Sequence, residues 1–132
     1  MATFDLDALP DEVTLFLTER HLATLTVLAP DGGPRVTPVG FTYEPANKVA
    51  RVITWETSWK AKHVAAGHDN RVCIASVDGG RWLALYGRAT VTDQPEAVAE
   101  GVRRYAERYR PPKERDDRVV IEVAVDRMVG RA

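Results

Sequence analysis

The chain is predicted to be mainly β, an antiparallel barrel of six strands with short helices at its ends and between strands. Three observations predict this: segments rich in β-branched and aromatic residues, tight turns between most of them, and helical periodicity confined to brief stretches. Taken in order, residues 11–20 make a short amphipathic helix, with Pro10 near its first turn and Val13, Phe16 and Leu17 on one face. Residues 22–28 and 35–43 are strands around Pro30-Asp31-Gly32-Gly33-Pro34, whose glycines supply the positive φ of a hairpin turn. Glu44-Pro45-Ala46-Asn47-Lys48 then turns the chain into a strand over 49–55, and the three strands form a meander. A short helix over 58–66 is stopped by Gly67, and strands over 71–77 and 81–92 are joined at Asp78-Gly79-Gly80. Gln94-Pro95-Glu96 opens another helix with a stripe of Ala97, Val98, Val102, Tyr105 and Tyr109, which Pro111-Pro112 ends. The last strand, 118–129, sets Val119, Ile121, Val123 and Val125 against Val120, Glu122, Ala124 and Asp126.

Composition narrows the functional classes. One domain is expected from 132 residues, and 45% hydrophobic with 28% charged residues describes an ordinary globular chain. A net charge of −1, from 18 basic and 19 acidic residues, gives no global attraction to nucleic acid or an anionic membrane, so any basic chemistry is local. The lone Cys73, in Val72-Cys73-Ile74-Ala75, excludes an internal disulfide framework and reads as a buried structural thiol. No apolar run approaches the roughly 20 residues that span a bilayer, and the acidic start is no secretory signal, so a cytoplasmic protein is expected. His21 and His68 stand at element ends without a carboxylate or cysteine partner, and no metal site is expected.

The densest chemistry lies in Arg51-Val52-Ile53-Thr54-Trp55-Glu56-Thr57-Ser58-Trp59-Lys60-Ala61-Lys62-His63. Ser58 is a good N-cap, and free amides at that helix start, with Ser58, Lys60 and Arg51, can hold a phosphate. A capped surface helix with solvated lysines is the alternative. In the strand over 35–43, Pro38 and Gly40 predict a bulge or unpaired backbone, and Gly40 either admits a flat ligand to the main chain or turns a barrel corner. The run Arg103-Arg104-Tyr105-Ala106-Glu107-Arg108-Tyr109-Arg110 mixes cations and aromatics as nucleic-acid readers do, but its tyrosines fall on the apolar stripe, so it reads as a solvated helix face.

These segments, together with Val77-Asp78-Gly79-Gly80-Arg81-Trp82-Leu83, Gly87-Arg88-Ala89, Tyr105 to Pro111 and Arg118-Val119-Val120-Ile121-Glu122-Val123, resemble the flavin/deazaflavin split-barrel family, the pyridoxamine 5′-phosphate oxidase-like fold. The similarity runs from the first helix to the last strand and is greatest to the coenzyme F420-dependent reductases of actinobacteria, biliverdin reductases among them. It implies a homodimer with two sites at the subunit interface, each holding a deazaflavin along the strands over 35–43 and 49–55. It implies that Arg51, Thr54, Ser58 and Lys60 meet the cofactor phosphate, that the backbone around Pro38, Val39 and Gly40 contacts the ring, and that Trp82 approaches the site from the other subunit. His63 lines the site in the same reading. Period-two alternation puts Arg51 and Thr54 on opposite faces, which strand twist or an early strand end has to reconcile. Trp55 and Trp59 depart from the family, being bulky where relatives often carry small residues.

The implied reaction is hydride transfer from F420H2 to a conjugated acceptor such as biliverdin, with Arg81 or Arg88 available for its propionates. No acidic residue stands out as a proton donor, which leaves the proton to solvent. The alternatives are an FMN-dependent enzyme on the same barrel and a non-catalytic tetrapyrrole- or flavin-binding protein. Nucleic acid, membrane and metal are not among the expected partners.

Overall fold

A computed structural model describes residues 1–67 and 69–132, so His68 lies outside the described residues. The strands are β1 (Ala2–Thr3), β2 (Ala23–Leu28), β3 (Pro34–Val39), β4 (Thr42–Glu44), β5 (Val49–Trp55), β6 (Arg71–Asp78), β7 (Arg81–Thr92) and β8 (Arg118–Arg131). The helices are α1 (Asp11–Thr18), α2 (Trp59–Ala66) and α3 (Pro95–Arg108). Every strand pair is antiparallel, and the hydrogen-bonded order is β3-β2-β6-β7-β8-β5-β4, with β1 added to the end of β8.

Among the described residues the strand count is eight, not six. The segment 35–43 is two strands, because Gly40 and Phe41 interrupt pairing, and β1 joins at the N-terminus. The expected meander is broken for the same reason. β3 pairs with β2, whereas β5 pairs with β4 and β8. Since β3 and β4 are the two ends of the sheet yet only two residues apart in sequence, the sheet has to curl until its ends nearly meet. The barrel is split at that seam. Pro38 is accommodated because β3 is an edge strand.

Inward residues follow the predicted alternation: Leu25 and Val27 of β2, Val72 and Ile74 of β6, Leu83 and Leu85 of β7, and Val119, Ile121, Val123 and Val125 of β8 are buried. Val120, expected on the outer face of β8, is buried too, because α3 lies over it. There Gly101 permits close packing; a Cβ on it would stand 3.0 Å from Ile53 and 3.1 Å from Val120. A bulge between Tyr86 and Gly87 bends β7, and Gly87 is required there, since a Cβ would stand 2.1 Å from the Ala124 carbonyl oxygen. α1 buries Val13, Phe16 and Leu17 as its stripe predicts, although it ends at Thr18. Two expectations about single residues change. Cys73 is only half-buried, on the outer face opposite Tyr86, and burial pushes its thiol pKa up. Arg108 belongs to no solvated face, for it is 9% exposed.

Candidate active site

β4 accompanies β5 only as far as Arg51, so the outer edge of β5 from Val52 to Trp55 has no strand beside it. The end of β3 and the Gly40 link face that edge, and together they enclose a cleft of about 180 Å³. Its lining is Pro38, Val39 and Gly40, then Val52, Ile53, Thr54 and Trp55, with Lys60 of α2, Tyr105 of α3, Pro112 and Arg118. Pro38, Val39, Gly40, Thr54 and Lys60, five of the residues singled out in the sequence, are thus gathered in one place. Tyr105, Pro112 and Arg118 were not foreseen there. Arg118 enters because β5 and β8 pair Trp55 with Arg118, a register that no local pattern reveals.

The remaining candidates sit elsewhere. Arg51 and Thr54 keep to opposite faces, because β5 stays regular through Trp55: Ala50, Val52 and Thr54 point inward and Arg51 outward. Arg51 Nη1 lies 2.8 Å from Glu44 Oε1, and Nε 3.7 Å from Glu122 Oε2, while Arg104 also approaches Glu44 at 3.5 Å. The Arg51 guanidinium beside it is the foremost cause holding the Glu44 carboxyl below its ordinary pKa. Ser58 caps α2 by accepting from the Ala61 N–H at 3.2 Å and is buried. His63 packs against Trp59 with the rings tilted by 49° and their centroids 4.1 Å apart. Trp82 is half-buried on β7 opposite Val77 and Arg131. None of these four lines the cleft.

Arg81 is fully engaged, Nη1 with Glu19 at 3.0 Å and Nη2 with Asp78 at 2.5 Å. Arg88 donates to Asn70 at 3.0 Å and lines a larger hollow, about 760 Å³, beyond the end of α2. That hollow is the larger of the two, but its cations are answered: Arg71 is 2.7 Å from Asp69, whose carboxyl it holds at about 2. His21, contrary to expectation, has a carboxylate partner, Glu19 at 3.0 Å. Among the described residues no group of three His, Cys, Asp or Glu is placed to hold a metal ion.

The cleft itself is electropositive. Among the described residues no carboxylate lines it, whereas Lys60 and Arg118 do. Burial pulls the Lys60 pKa below its ordinary value, as expected of an ammonium held against apolar walls, and its Nζ lies 5.2 Å from the Trp55 ring centre. Burial and then the neighbouring charge of Arg115 do the same to Arg118, with Asp117 opposing. Arg115 also stands over Trp55, at 4.8 Å. Thr54 is 1% exposed and its hydroxyl has no hydrogen-bond partner among the described residues. Two cations with no carboxylate among the described lining residues are an arrangement that a ligand with anionic oxygens would complete.

A family profile described as pyridoxamine 5′-phosphate oxidase matches residues 9–131. An F420H2-dependent biliverdin reductase from Mycobacterium tuberculosis (strain CDC 1551 / Oshkosh) is 48% identical over 124 residues, covering 94% of this chain and 89% of that one. Among solved structures, a conserved hypothetical protein from Mycobacterium tuberculosis superposes with a TM-score of 0.78 at 21% identity, covering 99% of this chain and 89% of that one. An F420 reductase superposes with a TM-score of 0.72 at 22% identity, covering 92% and 98%. At such identities the two structures share the fold.

Proposed function

The chain belongs to the pyridoxamine 5′-phosphate oxidase family, and from that membership we propose that it is an F420H2-dependent reductase acting on a conjugated acceptor, biliverdin, to give bilirubin. The observation that carries this reading is the 48% identity to the biliverdin reductase over nearly the whole chain. The cleft is consistent with it. When bound, the reduced deazaflavin supplies the hydride. Lys60 and Arg118 would hold anionic oxygens, the Thr54 hydroxyl would gain its missing partner, and the open edges of Pro38–Gly40 and Val52–Trp55 would offer backbone donors and acceptors to a flat ring. With Ser58 fixing the first turn of α2, Lys60 is presented without a search through helix conformations. Arg51 is left to Glu44, and the proton that follows the hydride is assigned to solvent because no acid lines the cleft.

A homodimer is part of the same proposal. Pockets for small molecules run to ~300–1,000 Å³, so a cleft of about 180 Å³ is too small to enclose a tricyclic ring unaided. A candidate surface exists: Val36, Thr26, Cys73 and Tyr86 lie in one row across β3, β2, β6 and β7, with Val36 62% and Tyr86 41% exposed. Trp82 shares the outer face of β7 and would enter a cleft only from a partner subunit. The test is titration of the purified protein with F420 and with FMN, followed by stopped-flow oxidation of F420H2 with biliverdin. Tighter F420 binding and bilirubin formation are expected. Equal or tighter FMN binding would remove the deazaflavin assignment, and turnover with a different acceptor would discard only the substrate.

A further inference from the structure

The last turn of α3 grips one of the two backbone stretches that enclose the cleft. The Tyr109 hydroxyl donates to the His21 carbonyl at 2.5 Å and accepts from the Phe41 N–H at 3.2 Å. The buried Arg108 guanidinium donates to the carbonyls of Phe41 at 2.5 Å, Glu19 at 2.9 Å and Phe16 at 3.4 Å. Its Cζ also lies 4.6 Å from the centre of the Phe41 ring. At the adjoining residue, a Cβ on Gly40 would stand 3.0 Å from the Tyr105 ring and 3.1 Å from that of Tyr109. The Gly40–Phe41 link has no strand partner, yet both backbone polar groups of Phe41 are held and two aromatic rings press on Gly40.

A guanidinium is costly to bury, and a leucine or methionine would fill the same space without that cost. What arginine adds is a planar fork of donors that ties several carbonyls at once, here from α1, the α1–β2 turn and the β3–β4 link. The elements so joined meet at the seam of the split barrel. We propose that Tyr105, Arg108 and Tyr109 are positioning residues for the reaction, fixing the Pro38–Gly40 edge so that a bound ring lies at transfer distance from its acceptor. Tyr105, which also lines the cleft, supports the ring edge directly, whereas Arg108 and Tyr109 act through the backbone of Phe41. The inference rests on the reading that the cleft takes the deazaflavin ring.

Tyr109→Phe is the sharp variant, since it keeps the ring against Gly40 and removes only the hydroxyl. In stopped-flow mixing of F420H2-loaded protein with biliverdin, the hydride-transfer rate is expected to fall about tenfold, as a small misplacement of reacting groups does. KM for biliverdin and Kd for F420H2 are expected to stay within about threefold of the wild type, which separates misplacement from lost binding. Arg108→Met is expected to lower the rate in the same way, and Arg108→Lys to recover part of it. Amide hydrogen exchange on the ligand-free protein reads the grip without any cofactor: Phe41 should exchange at least about tenfold faster in Tyr109→Phe, with β6 and β7 unchanged. Unchanged Phe41 exchange, or an unchanged transfer rate in both variants, would overturn the inference. A wild-type protein that does not bind F420H2 would instead overturn the cofactor reading, and with it the link from this grip to hydride transfer.

Discussion

Thr54 and Lys60 are in tension with the stability of the ligand-free protein, and that tension can be measured. The Thr54 hydroxyl is buried without a partner, which costs about 1–3 kcal/mol relative to a satisfied group. Thr54→Val, nearly isosteric, is therefore expected to raise the stability of the ligand-free protein by about 1 kcal/mol while weakening F420 binding. Denaturant melts with and without cofactor check both signs. Lys60 behaves alike. Its folded pKa is depressed by burial, so its charged form is disfavoured in the native state, and this penalty is present at neutral pH and relieved as pH rises through the depressed pKa towards the ordinary 10.5. Lys60→Met should leave the melting temperature at pH 7 unchanged or slightly higher. Losing a charge-assisted bond to an anion should weaken cofactor binding by about 10- to 100-fold, corresponding to ~1.5–3 kcal/mol. In the wild type the affinity should fall as pH rises through the same depressed pKa. A Lys60→Met protein that binds F420 as tightly as the wild type would move the anion elsewhere, with Arg118 next in line.

At the scale of elements, periodicity revealed which segments are strands and helices but not which strands meet. The stripe Val13, Phe16 and Leu17, the Ser58 cap and the inward set of β8 were all legible, because each depends on neighbours a few residues away. Strand pairing depends on the whole sheet. Pro38 and Gly40 signalled a disturbance in 35–43, yet nothing local says that the chain there crosses from one end of the sheet to the other. The same limit hid Arg118, which reaches the cleft only through its register with Trp55, and Arg108, whose partners are backbone carbonyls far away in sequence. Gly40 stands between β3 and β4 and lines the cleft, and the rings that press on it are the protein's own. Gly87 tests an element most severely. With the Ala124 carbonyl 2.1 Å from where a Cβ would be, Gly87→Ala cannot keep the bulge, and a loss of more than about 3 kcal/mol is expected in a urea melt. An alanine variant as stable as the wild type would mean that β7 and β8 can pair in another register.

For the molecule as a whole, the open question is whether one chain completes the site. The row Val36, Thr26, Cys73 and Tyr86 crosses four strands on an outer face where Val36, Tyr86 and Val77 of β6 are exposed, Val77 at 69%. A self-complementary two-fold contact would repeat any substitution on both sides, so a new carboxylate there is buried twice and meets or approaches its own copy. If the proposed homodimer is built on this face, Val36→Glu or Tyr86→Glu is expected to give a monomer in light scattering, with F420 affinity reduced at least about tenfold because the small cleft would lose a wall supplied by the second subunit. Leu15→Glu is the matched control, a residue equally apolar and 55% exposed but on α1, and it should remain dimeric and fully able to bind. If both sheet-face variants stay dimeric, the interface lies on another face. If they become monomers that bind F420 as the wild type does, the cleft between β3 and β5 is complete within one chain, and the interface contributes assembly without contributing to the site.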